Sequence, residues 1–156
     1  MKKIPKEIIQ FFENQGFGVV TTINPDGSLN SSCKDIIKIT KAGKVFLLDL
    51  YMQKTHANLK RNPTVSITSV DEHKFRGYSL QGIAKTIARE KVSPQILKLQ
   101  EERITSRITT RVLKNVHGEK GHPLHPEAAL PKPKYLIEVD VTGYIDLAQY
   151  HPKRQK

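Results

Sequence analysis

Lys54-Thr55-His56-Ala57-Asn58-Leu59-Lys60-Arg61-Asn62-Pro63 reads as a short helix set between two strands. Before it stands an apolar, β-prone run, KVFLLDL at 44–50, and after it a second, TVSITSV at 64–70. A strand that runs into a helix whose first turn carries a lysine and a threonine brings unpaired backbone N–H groups, a hydroxyl and a cation to one place. Together they make a cradle for a phosphate.

Outward from that turn the chain divides into short elements. Residues 5–15 predict a helix, with Pro5 suited to the first helical position, Ile8, Ile9 and Phe12 on one face and Gly16 as the stop. Residues 17–23 predict a strand, and Asn24-Pro25-Asp26-Gly27 a turn into a second strand at 29–39, with glycine taking the left-handed conformation. A turn at 41–43 leads into the strand at 44–50, and the polar stretch 71–77 separates the strand at 64–70 from another at 78–87. The period then changes. Ser93 is an N-cap with Pro94 behind it, and Leu97, Ile104, Ile108 and Val112 form a stripe beside Arg103, Arg107 and Arg111. That pattern predicts an amphipathic helix of about five turns lying on an apolar surface. Residues 116–134, with two glycines and four prolines, read as a loop or lid, and 135–141 alternates as a last strand that 143–147 extends or turns. The expectation is one domain spanning 1–156, mainly β: a closed antiparallel barrel of six to seven strands, with an N-terminal helix and one long helix in the C-terminal half.

The ordered string of barrel strand, Lys-Thr-x-x-Asn-Leu, basic pair, Asn-Pro and barrel strand resembles the phosphate-binding turn of the FMN-binding split β-barrel family. That family includes pyridoxamine 5'-phosphate oxidase and the small bacterial FMN-binding proteins, and the likeness is best over 16–87. It implies a Greek-key split barrel, FMN as cofactor, and an oxidoreductase or electron carrier with a small-molecule redox substrate or electron partner. It also implies a homodimer with two flavin sites across its interface. By this resemblance Lys54 and Thr55 hold the phosphate, and Asn58 braces the turn or reaches the phosphate through water. Ser32, Cys33 and Lys34 face the ribityl chain and ring, and Leu48, Asp49 and Leu50 pass the ring edge with their backbone groups. Gln81, in the Gln-Gly-Ile-Ala step at 81–84, is a ligand supplied across the dimer. Flavin carries the redox chemistry on this view, so no side chain is assigned as a general acid or base. One departure stands out: many members place an arginine two residues before the lysine, where this chain has Met52. Lys34 or another basic residue would have to supply that charge.

Other readings stay open. The polar run Asn30-Ser31-Ser32-Cys33-Lys34-Asp35 suits a water-exposed edge strand as well as one that lines a polar ligand. A deazaflavin-dependent reductase would present a phosphate to the same turn. A haem-degrading split barrel would give the histidines at 117, 122 and 125 a role, although their spacing matches no standard metal site. The net charge of +11 invites a nucleic-acid-binding barrel. The excess is spread out, however, with eleven Lys/Arg against five Asp/Glu over 85–134, and without tryptophan the chain lacks dense stacking aromatics. Nucleic acid is therefore disfavoured. No apolar run approaches the ~20 residues of a membrane span, the basic N-terminus leads into no signal-peptide core, and Cys33 has no disulfide partner. The cytoplasm is the expected compartment.

Overall fold

The computed structural model describes residues 2–119 and 131–148. Its elements are α1 (Lys6–Gln15), β1 (Phe17–Ile23), β2 (Leu29–Ile39), β3 (Lys44–Asp49), α2 (Lys54–Arg61), β4 (Thr64–Asp71), β5 (Arg76–Ala88), a 3-10 turn (Arg89–Lys91), α3 (Pro94–Val116) and β6 (Tyr135–Asp146). Six strands close a barrel in the order β1-β2-β3-β6-β5-β4, with β4 pairing back to β1 and every pairing antiparallel. The first three strands form a meander. The chain then leaves the sheet through α2, so that β4 enters beside β1, and α3 carries it from β5 to β6, which closes the remaining gap.

Local chemistry accounts for these elements. The β1–β2 turn places Gly27 at φ 83°, and Asp26 accepts bonds from the N–H and hydroxyl of Ser28. Gly16 ends α1 at φ 74° in the left-handed conformation that glycine tolerates. Pro5 lies one residue ahead of the first helical turn, where it serves as the cap.

Two apolar cores result. The barrel interior holds Val20, Ile36, Val45, Leu47, Ile67 and Ile137, with Ile8 and Phe12 of α1 packed onto it. A smaller cluster outside joins Ile37, Leu48 and Leu136 to Val92 and Ile96 at the start of α3. A register shift between Ile36 and Lys38 makes both cores possible. The extra residue lets Ile36 and Ile39, three positions apart, both face inward, while Ile37 turns out to α3.

Along α3 that cover fades. Ile96 is buried, Ile104 and Ile108 are half-buried, and Val112 is 42% exposed, so the apolar stripe is covered by this chain mainly in its first turns. Of the segment expected to form a lid, 116 ends α3, 131–134 is irregular, and 120–130, with the histidines at 122 and 125, lies outside the described residues. Among the described residues no helix is long and apolar enough to cross a membrane.

Candidate functional site

Where β2 parts from β3 the barrel opens into a groove. β2 pairs with β1 along its whole polar half but meets β3 only from Asp35 onward, so residues 30–34 have one bonded edge and one facing the gap. Over these residues the polar run is thus an edge, its unpaired side turned to the groove. The start of α2 hangs over it, with the Thr55 hydroxyl 3.1 Å from Ser32 Oγ and 3.4 Å from Asn30 Nδ2. No side chain caps α2, so the first-turn amides remain available beside the exposed Lys54. The groove, about 1130 Å³, is lined by Asn30, Ser31, Ser32, Cys33, Lys34 and Asp35 of β2. The segment from Leu48 to Tyr51, Gln53, Lys54 and Thr55 continues its wall, and α3 closes the far end.

Asp49 organises the floor. Lys34 Nζ lies 2.7 Å from Asp49 Oδ2, with both side chains almost wholly buried at 8% and 6% exposure. The Tyr135 hydroxyl donates to the same oxygen at 2.5 Å, and the Tyr51 N–H donates to Oδ1 at 3.2 Å. Burial, then the hydrogen bond and charge of Asp49, push the Tyr135 hydroxyl far above the ordinary tyrosine range, so it stays protonated. His56 meets the Tyr135 ring edge-on at 4.7 Å between centroids. Burial, with the charge of Lys60 adding to it, lowers the His56 pKa against the pull of Asp49 and favours neutral imidazole.

The charge balance follows. Lys34, a candidate to replace the missing arginine, is already neutralised by Asp49, and Asp35 is held by Arg107 at 2.9 Å. Among the described residues that line the groove, Lys54 is left as the cation at the α2 end.

Eight of the ten residues expected to bind cofactor line this groove: Ser32, Cys33, Lys34, Leu48, Asp49, Leu50, Lys54 and Thr55. Asn58 does not. Its buried Nδ2 donates to Thr22 Oγ1 at 3.1 Å and Asn24 Oδ1 at 2.9 Å, tying α2 to β1 and its turn. Gln81 lies elsewhere too, exposed on β5 opposite Ser66 and Gly143. Asn30 and Ser31 belong to the polar run and were legible with it. Tyr135 carried no such signal, because 86 positions separate it from Asp49. Among the described residues no group of three His, Cys, Asp or Glu side chains is placed to hold a metal.

Gln81 belongs to a second feature, an outer barrel face without charged side chains. Strand pairing sets Cys33, Val19, Thr68, Ser79 and Ile145 in one row and Ser31, Thr21, Ser66, Gln81 and Gly143 in the next. Hydroxyls pair along it, Thr21 with Ser31 and Ser66 with Ser79. Cys33 and Ser31 line the groove as well, so groove and face share an edge.

Known structures share this architecture. HupZ of Group A Streptococcus superposes with a TM-score of 0.63 at 14% identity, covering 94% of this chain and 96% of its own. A pyridoxamine 5'-phosphate oxidase-related, FMN-binding protein of Nostoc punctiforme gives 0.58 at 12%, covering 95% and 87%. HutZ, a haem storage protein of Vibrio cholerae, gives 0.56 at 18%, covering 92% and 94%. Among proteins of curated function none matches significantly. At these identities the structures establish the fold alone. The family model for pyridoxamine 5'-phosphate oxidase, however, matches residues 4–144, from the approach to α1 into β6, and with it the chain belongs to the pyridoxamine 5'-phosphate oxidase family.

Proposed function

We propose that the groove binds FMN and that the protein is an FMN-dependent oxidoreductase or electron carrier, working as a cytoplasmic homodimer on a small redox partner. The observation that carries this reading is the meeting of an uncapped helix start, Lys54 and Thr55 with the polar run of β2 in one groove. The donor set fits the group. Lys54 and the α2 amides suit a phosphate, Asn30 and Ser32 suit the ribityl hydroxyls, and the backbone at 48–50 suits the polar edge of a ring system. Bound flavin would supply hydride or single-electron transfer. This chain's residues do the holding: Thr55 and the helix start orient the phosphate, and Asp49 and Tyr135 fix Lys34 in the floor. The uncharged face supports the dimer, since a second copy laid on it would bring Gln81 toward a neighbouring groove.

Absorbance of the purified protein tests the proposal, a two-band yellow spectrum being expected. Lys54→Ala should weaken FMN about tenfold while leaving riboflavin, which lacks the phosphate, nearly unchanged in a fluorescence titration. Equal losses for both would remove Lys54 from the phosphate site. A haem reading draws support from the fold shared with HutZ, and a Soret band would replace FMN with it. A deazaflavin, whose phosphate suits the same turn, would show its own spectrum.

A further inference from the structure

The groove is larger than one ligand requires. Pockets for a single small molecule occupy ~300–1,000 Å³, and this one reaches about 1130 Å³ with two ends of different chemistry. The α2 end is polar. The other end is walled by Leu97 and Ile104, one heptad apart on α3 and each only partly covered by the chain, with Pro131 and Pro133 also lining it. Arg89, on the 3-10 turn, also lines the groove. Its Nη1 donates to the Pro133 carbonyl at 2.9 Å, and the Lys134 N–H donates to the Asp49 carbonyl at 2.9 Å, so both the arginine and the 131–134 wall are fixed. The rest of the guanidinium fork has no bonded partner among the described residues.

We infer that this end is a second compartment that takes an apolar organic acid, its carboxylate on Arg89 and its body against Leu97 and Ile104. The inference deepens the FMN reading, on which it rests only in leaving the α2 end to the cofactor. A planar guanidinium with spare donors matches a carboxylate as an ammonium does not. With Lys34 and Asp35 already paired, the charges left at this end among the described residues are Arg89 and the exposed Lys132 against Glu101, itself exposed and screened by water. The balance favours an anion. The partly covered leucine and isoleucine favour an apolar body, whose burial drives binding.

The probe is 2-naphthoate, with neutral 2-naphthamide as its control, each titrated by equilibrium dialysis into FMN-loaded and FMN-free protein. Naphthoate should bind about tenfold more tightly than the amide. Arg89→Gln should lower naphthoate affinity about tenfold, with little change for the amide or for FMN, and Ile104→Glu should weaken both probes. Arg89→Lys, keeping charge but not the fork, should fall between wild type and Arg89→Gln, and it serves if Arg89→Gln fails to fold by circular dichroism. Equal affinity for acid and amide, indifference to Arg89→Gln or Ile104→Glu, or displacement of FMN by naphthoate would each overturn the compartment. If FMN fails to bind while naphthoate shows the Arg89 dependence, the compartment stands and the FMN reading falls.

Discussion

Asp49 serves two buried groups at once, the Lys34 ammonium and the Tyr135 hydroxyl, and it is the acceptor for both. Removing it leaves a buried cation without a counter-charge, the costly way to break such a pair. Asp49→Ala should lower stability by about 3–5 kcal/mol in urea denaturation. Tyr135→Phe, which leaves the ion pair and the Tyr51 N–H bond in place, should cost less, about 1.5–3 kcal/mol. The raised Tyr135 pKa also sets a pH dependence. Unfolded, the phenol ionises near pH 10, whereas folded it keeps its proton. Its contribution is therefore whole below about pH 10 and falls above it by about 1.4 kcal/mol per pH unit. Alkaline denaturation of Tyr135→Phe should show a slope one proton shallower than that of wild type. Identical slopes would show that the hydroxyl ionises as readily folded as unfolded.

Close backbone approach shapes the β5–β6 seam, and an arginine helps to tie α3 to the barrel. β5 and β6 shift register between Gln81 and Gly82, and a Cβ on Gly82 would meet the Asp140 carbonyl oxygen at 2.5 Å and Val139 Cγ1 at 2.6 Å. Neither neighbour is a flexible chain end. Gly82→Ala should cost about 1–3 kcal/mol, read as a drop in Tm, with faster amide exchange along the β5–β6 seam. α3 is tied back past its buried start by Arg107, which donates to Asp35 at 2.9 Å and to the carbonyl of Gly16, the buried C-cap of α1, at 3.2 Å. The Arg107 and Asp35 side chains are each about one-third exposed, so Arg107→Ala should cost only about 1 kcal/mol globally. Amide exchange should nevertheless rise in the half of α3 beyond Ile104, where the apolar stripe is only partly covered. Unchanged protection there would mean that another contact anchors it.

At the scale of the molecule, the proposed dimer uses the uncharged face from β2 to β6. Light scattering should give about twice the 17.7 kDa chain mass. Val19→Arg, placing a cation in the middle of that face, should give a folded monomer by circular dichroism with weakened FMN binding. A wild-type monomer that binds FMN tightly would separate the cofactor site from the dimer and leave Gln81 without a role in it.

Much of the fold was legible along the chain because its causes are local. β1 and β2 run over the residues expected of them, Gly16 and Gly27 take the left-handed conformations their turns require, and the Lys54 turn opens a helix between two barrel strands. Of the two courses open to 143–147, β6 takes extension, its pairing with β5 continuing to Asp146. The groove was legible in part: a polar run in a strand and a phosphate turn named eight of its lining residues. Strand register and barrel closure decided the rest. Register separates Ile36 from Ile37 by a bulge and gives β2 an open half. Closure carries Tyr135 beneath Asp49, and α3 and Arg89 to the far end of the groove. No short stretch of chain encodes those contacts, because each exists only once strands distant in sequence have paired.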